Sequence, residues 1–552
     1  MALIRLFWNS AAIIRWQFLL LAMLSAASNA GVLMLISIAS RQSGTTLGAL
    51  RNVVLFVLAI AIFALSQRRL MSEISLRIEG LIDNIRLDLL ARAQASEALQ
   101  IEAVGQSELY NALSRSTQVI SQVTPNLVIA VQSFILLVLA SLYILYLSAP
   151  AFWCWFALIV ATVGIAIYRS GNSKRMLADV SREETRLLSG FSDIFDGFRE
   201  LKVSSAKMHD VVRDIKSTSK NAKDKKIDFQ MLFATDYTVA TTLFYSMAGL
   251  MAFIVPILMK SDSQLSTSLT MASLFMLGPV GNVAYSASLL QQANAAASQI
   301  EDLNGRLAPS VKGEQSDAER TRIERFERLD LRSACFRYDS RDGDHSFSVG
   351  PLDLSLTRGE VVFITGGNGS GKSTFVSLLL DLYPLSGGGI WLDDVPIGRS
   401  NRAAYRDLFA VIFANNHLFS RLYGLTDVCD GEARDLIRLL ELESKVTLSG
   451  GVFSTTKLSS GQRKRLALIA AMLEHKDIYV FDEWAADQDP YFRSKFYNEI
   501  IPHLKAQGST VLAITHDEKY FDLCDRRLHM QDGLLCEVPN RIKKYDGNRG
   551  EL

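Results

Sequence analysis

The sequence predicts a two-part fold: an all-α membrane domain of six helices with long helical extensions, fused to an α/β domain built around a phosphate-binding loop. Three observations predict it. Six stretches in the first half lack charge almost entirely. Two of the connections between them are long, charged and nearly free of proline. In the second half, short apolar runs end abruptly on glycine, carboxylate or histidine.

The six stretches are Trp16–Ile38, Leu47–Ser66, Leu127–Ser148, Ala151–Tyr168, Tyr237–Met259 and Leu269–Leu290. Each is roughly 18 to 23 residues long, enough to cross a bilayer core. Buried helices of a soluble protein are the alternative, but soluble helices of that length carry a charged face. An arginine at mid-bilayer costs about 2.5–3.5 kcal/mol on insertion scales. Arg51 alone intrudes, near the outer end of the second stretch, where it can snorkel. Lys and Arg placement sets the orientation. Arg5 and Arg15 precede the first stretch; Arg68, Arg69 and Arg77 follow the second; Arg169, Lys174 and Arg175 follow the fourth. The opposite connections are short and carry only Arg41 and Lys260. The N-terminus and the C-terminal domain are therefore expected in the cytoplasm. The first apolar run continues past signal-peptide length, so it reads as a span, with no room before it for a fused peptidase.

The long connections, Gln67 to Asn126 and Arg169 to Asp236, exceed what unstructured loops usually reach. If each is a pair of helices running out and back, each arm of about 30 residues extends roughly 45 Å at 1.5 Å per residue. The tips are expected near Gly105–Ser114 and Phe195–Ser204.

The second half holds the chemistry. Val361–Thr365 reads as a buried strand, and Ser373–Leu382 as a helix. Between them lie Gly366, Gly367, Asn368, Gly369, Ser370, Gly371, Lys372, Ser373 and Thr374. Glycines let the backbone approach an anion closely, and the N–H groups at the helix start cradle a nucleotide's phosphates. Lys372 is placed to reach the β- and γ-phosphates, and Ser373 to hold Mg²⁺. Further on, Leu458-Ser459-Ser460-Gly461-Gln462 opens a basic and then apolar helix. The strand Ile478–Phe481 ends on Asp482 and Glu483, and Thr510–Thr515 ends on His516.

The balance of charge is close to neutral, +1, so nothing points to nucleic acid as a partner. Cys154, Cys335, Cys429, Cys524 and Cys536 show neither metal nor redox spacing. Residues 306–326 are charged and polar and read as a linker, which divides the chain into a membrane domain 1–305 and a nucleotide-binding domain 327–552.

In order and spacing these motifs resemble the phosphate loop, signature loop, second Walker motif and switch histidine of ATP-binding-cassette ATPases, from about residue 327 to the end. Six spans with two long intracellular extensions resemble the exporter class of that family. The resemblance implies ATP with Mg²⁺. Ser459, Ser460, Gly461 and Gln462 would close over the ATP of a second copy of the chain. Asp482 would orient Mg²⁺, Glu483 would polarise the attacking water, and His516 would contact the γ-phosphate. Tyr338, upstream of the phosphate loop, would stack on adenine; the alternative for it is an ordinary strand aromatic. The extension tips would dock on the ATPases. One phosphate loop and one signature per chain imply a half-transporter that dimerises, most simply with itself.

Three features depart from the general pattern. Ser460 stands where glycine is usual. The loop 413–419 lacks its glutamine, with Asn415 or Asn416 as substitutes. Trp484-Ala485-Ala486-Asp487-Gln488-Asp489-Pro490 replaces the usual Ser-Ala-Leu-Asp. Residues 458–468 and 483–490 resemble the cyclic-peptide and siderophore exporter branch. That implies export of a cyclic peptide, lipopeptide or peptidic siderophore precursor across a bacterial inner membrane. A lipid or glycolipid flippase, or a non-hydrolysing membrane regulator, are the other readings; intact Lys372, Asp482, Glu483 and His516 speak against the last. The spans offer Ser25, Asn29, Gln132, Thr241, Thr242, Tyr245, Asn282 and Tyr285 but no carboxylate or amine at mid-span. That suits a neutral or amphipathic cargo in contact with membrane lipids, or else marks helix packing. Gly278-Pro279 is expected to kink the sixth span.

Overall fold

The computed structural model describes residues 3, 5, 16–41, 46–254, 263–307, 326–338, 347–425 and 429–539. The chain divides into two compact units, Met1–Ala95 with Val104–Ser310, and Ser96–Ala103 with Val311–Leu552. The expected linker lies outside the described residues from 308 to 325.

The first unit is helical. Its main elements are α1 (Trp16–Arg41), α2 (Thr46–Ala95), α5 (Thr117–Leu147), α6 (Ala149–Asp196), α8 (Ser205–Gly249), α9 (Ser263–Phe275) and α10 (Leu277–Arg306). Among the described residues, five helical stretches are long and apolar enough to cross a membrane, and α6 adds the shorter apolar stretch Ala149–Ala161. Ser148 caps α6 by accepting from the Ala151 amide, and Pro150 sits in its first turn, where a missing N–H costs nothing. The sixth apolar stretch breaks at Met276, between α9 and α10. The break lies just upstream of Gly278-Pro279 because a proline ring crowds the carbonyl one turn before it.

The polar residues of the spans hold helices to one another. Gln67 Oε1 accepts from Ser25 Oγ at 3.0 Å and from Gln132 Nε2 at 2.7 Å, which ties α1, α2 and α5. Asn282 Nδ2 donates to Ser133 Oγ at 3.1 Å, which ties α10 to α5. For Ser25, Gln132 and Asn282 the packing alternative therefore accounts for the residue. Thr241 bonds back to the carbonyls of Tyr237 and Thr238 in its own helix.

The two extensions turn at short helices. In the first, α3 (Ala98–Val104) begins where the Glu97 amide donates to Gln100 Oε1, and Gly105, at φ 82°, turns the chain into α4 (Gln106–Asn111). The turning element thus precedes the expected 105–114, most of which already lies on the returning helix. The second turn, α7 (Phe198–Val203), sits between Gly197 and Ser204.

The second unit holds two larger sheets and a two-stranded pair, β7 (Leu448–Ser449) with β8 (Val452–Phe453). The antiparallel sheet runs β2-β1-β4-β5, from β1 (Arg328–Arg337), β2 (Ser348–Thr357), β4 (Gly387–Leu392) and β5 (Val395–Pro396). The six-stranded sheet runs β12-β11-β3-β10-β9-β6 and is parallel except at β12. Its strands are β3 (Val361–Thr365), β6 (Phe409–Ile412), β9 (Ile478–Asp482), β10 (Thr510–Ile514), β11 (Arg526–Gln531) and β12 (Leu534–Val538). Every residue of β3, β9 and β10 is buried, as expected of parallel strands covered on both faces. Ala98 and Leu99 pack on the apolar core beside the antiparallel sheet, and Tyr383 donates to Glu102 at 2.7 Å.

Phe363, fully buried at the centre of β3, meets Tyr497 edge-on at 5.7 Å. Phe363→Ala is expected to cost about 3–5 kcal/mol of stability. The check is a lower urea midpoint for the unfolding transition of this unit, with an unchanged slope.

Candidate functional site

The site forms where β3, β10 and β9 end side by side. In these parallel pairs Ile364 is level with Ile514, and Ile514 with Asp482. Ligands in open α/β sheets bind at such carboxyl ends. β3 delivers the glycine loop, β9 delivers Asp482 and Glu483, and β10 delivers Thr515 and His516.

The loop closes on itself through Lys372, which is buried and donates to the carbonyls of Gly366 and Gly367, each at 2.9 Å. Gly366, Gly369 and Gly371 take positive φ, which only glycine adopts without strain. α11 (Lys372–Leu379) starts at this loop, so its unpaired N–H groups face the cradle. Ser370 Oγ is buried there without a hydrogen-bond partner among the described residues.

Five sequence-identified residues come together. Ser373 Oγ donates to Asp482 Oδ2 at 3.4 Å. Lys372 Nζ lies 3.9 Å from Glu483 Oε1, and His516 Nε2 lies 3.5 Å from the same oxygen. Burial, and next the Glu483 carboxylate, push the Asp482 carboxyl above its usual range, while the Ala414 amide, Ser373 and Lys372 pull it down. A buried carboxylate short of positive charge beside a serine hydroxyl is the donor set a hard cation such as Mg²⁺ takes. The loop that lacks its glutamine comes near this carboxylate with the Ala414 backbone, whose N–H is among the groups that pull it down.

Tyr338 is partly buried; its hydroxyl meets Thr374 Oγ1 at 3.0 Å, and its ring lies edge-on to Phe336. Beyond α12 (Arg402–Arg406) and α13 (Asp430–Leu439), Ser459–Gln462 start a separate element, α14 (Ser460–Leu473). Ser459 and Gln462 form a reciprocal capping box. No hydrogen bond or ion pair joins these four residues to the phosphate loop among the described residues. Ser460 is the first helical residue of α14, so its position does not require glycine. Gly461 is different: a Cβ there would come within 2.9 Å of the Asp487 carbonyl.

Lys464 escaped the reading of the sequence. It lies in the basic run 463–465, yet it is buried and donates to the Glu483 carbonyl at 3.0 Å. Its signal was periodicity: it stands four residues before buried Leu468 and seven before buried Ala471, on the apolar stripe of α14.

The family model described as ABC transporter matches residues 349–486. The ATP-binding protein SyrD of Pseudomonas syringae pv. syringae is 32% identical over 74% of this chain and 73% of its own length. An ATP-dependent lipid A-core flippase of Chromohalobacter salexigens is 26% identical over 80% of this chain and 76% of its own. A solved bacterial Atm1-family ABC exporter with ATP bound shares the fold, with a TM-score of 0.75 over 94% of each chain at 16% identity.

Gly366 has no room for a side chain: a Cβ would lie 2.3 Å from the Met530 carbonyl. Gly366→Ala is expected to displace the loop and weaken ATP binding by more than about tenfold while leaving the fold intact. Equilibrium binding of a fluorescent ATP analogue, beside a thermal melt, checks both halves of that expectation.

Proposed function

Because this chain belongs to the ATP-binding-cassette transporters, as a multi-pass membrane protein of the exporter type that couples ATP hydrolysis to transport, we propose that it exports a peptide-like cargo. That cargo is a cyclic peptide, a lipopeptide or a peptidic siderophore precursor, moved across the bacterial inner membrane by a homodimer with cytoplasmic termini. The observation that carries the ATPase half is the convergence of Lys372, Ser373, Asp482, Glu483 and His516 at three adjacent strand ends.

Each residue then has a task. The glycine loop's amides and Lys372 hold the phosphates, with Ser370 and Thr374 in the same cradle. Ser373 and Asp482 hold Mg²⁺, which when bound neutralises charge building on the phosphate oxygens. Glu483 orients and polarises the attacking water, and His516, beside the Glu483 carboxylate, contacts the γ-phosphate. Catalysis of this kind is positioning plus charge stabilisation. Tyr338 borders the cradle through Thr374 and offers its ring to adenine. Ser459–Gln462 turn the start of a helix toward a second copy's ATP, where the positive end of the helix favours an anion. The second extension tip suits a second copy as well: Phe195, Phe198 and Val203 on it are 76%, 48% and 90% exposed.

Peptide cargo rests on the runs 458–468 and 483–490, and on spans with no described charge at their centres. The test is ATPase activity of the chain reconstituted in lipid vesicles. A cyclic lipopeptide is expected to stimulate hydrolysis several-fold. Stimulation by a glycolipid alone would turn the reading to a flippase, and a chain without hydrolysis would be a regulator.

Glu483→Gln leaves the phosphate and cation contacts in place. It is expected to retain ATP binding and lose more than about a hundredfold in turnover, the range of general-base contributions. Phosphate release and ATP retention on the same sample measure both; wild-type hydrolysis would remove Glu483 from the role.

A further inference from the structure

The residues that set this chain apart from the general family pattern, Trp484, Asp487 and Gln488, all grip one turn of α14. Trp484 Nε1 donates to the Lys464 carbonyl at 2.9 Å. Gln488 Nε2 donates to the Gly461 carbonyl at 3.1 Å. Lys464 Nζ pairs with Asp487 Oδ2 at 2.8 Å and donates to the Glu483 carbonyl at 3.0 Å. The Trp484 ring is fully buried and stacks on Phe496 at 4.4 Å, which fixes the segment from its other side.

At the centre of this arrangement is a strained residue. Glu483 has φ 50° and ψ 37°, left-handed values that a side-chain-bearing residue keeps only when its surroundings impose them. Its N–H donates to the Ile514 carbonyl at 3.3 Å; its C=O accepts from Ala486 N at 3.3 Å and from Lys464. Lys464 is the one side chain in that set, and its ammonium is held out of water, 7% exposed. A methionine would fill the same space without the desolvation that a buried charge carries. What the ammonium adds is a charge-assisted hold on the backbone of the residue that carries the carboxylate.

We infer that Lys464, fixed by Asp487, is a positioning residue for hydrolysis: it holds the left-handed turn that aims the Glu483 carboxylate between Lys372 and His516. Trp484 and Gln488 bind the flanks of that turn to α14, so Ser459–Gly461 and Glu483 move as one body. The inference rests on the role proposed for Glu483.

The experiment uses the full chain in lipid nanodiscs, with kcat normalised to bound ATP and KM measured in parallel. Lys464→Met keeps the volume and removes both polar contacts; kcat is expected to fall about tenfold with KM for ATP within about twofold. Asp487 is 48% exposed, so Asp487→Asn spares the fold; it loosens the ammonium and is expected to lower kcat about threefold, again at constant KM. The double variant is expected to be no slower than Lys464→Met, because both act through one contact. Lys464→Met added to Glu483→Gln is expected to lower the residual rate no further. Should Lys464→Met not fold, Asp487→Asn still decides the matter. Wild-type kcat in Asp487→Asn, or effects that simply add, overturn the inference. A Glu483→Gln variant that hydrolyses normally removes the Glu483 assignment instead, so the two failures are told apart.

Discussion

The site depends on the register of three strands whose residues are all buried. β3, β10 and β9 carry no charge before their last positions, since a charge in mid-strand would be stranded in the core. The polar groups are therefore pushed to the strand ends, where Asp482 follows directly on an apolar run and Thr515 and His516 follow on another. Hydrophobic burial sets how far each strand enters the sheet, and so it sets which side chains emerge together. A slip of one residue would send every side chain of a strand to the opposite face. The electrostatics of the site are thus placed by residues that touch neither nucleotide nor cation.

Much of this was legible in the sequence because strand ends and glycine loops leave one-dimensional marks. An apolar run that stops on Asp482-Glu483 says where the sheet ends, and Gly366 to Gly371 says that the backbone must approach something closely. The charge-free stretches were legible for the same reason: a bilayer imposes a length. Marks that depend on a partner elsewhere in the chain were not. Gln67 reads as the first residue of a polar connection, yet it accepts from both Ser25 and Gln132 and joins three helices. The first extension turns over residues 96–105 rather than beyond them, because Glu97 and Gln100 start a short helix that no proline or glycine announces on its upstream side. Lys464 was hidden by Arg463 and Arg465, which made a buried ammonium look like part of a solvated basic run.

The family departures also differ in physical weight. Ser460 occupies an ordinary helical position, so its side chain is tolerated there. Gly461, one residue on, is fixed by the Asp487 carbonyl that approaches it. In the loop at 413–419 it is the Ala414 main chain that acts on the Asp482 carboxyl and pulls it down. A contact made by the backbone is indifferent to the side chain at that position, and this separates the loop's nearness to the carboxylate from the identity of its residues.

The second unit is discontinuous: Ser96–Ala103 belongs to it, although the rest begins at Val311. At about 5–20 residues per second, a ribosome makes the two pieces roughly ten to forty seconds apart. During that interval Ala98 and Leu99 have emerged, and the surface that covers them has not been synthesised. The early segment is short and polar around those two residues, with Ser96, Glu97, Gln100 and Glu102. That composition keeps a waiting segment soluble while leaving it able to dock. The nucleotide-binding unit can therefore close only after translation has supplied the piece against which this early segment packs.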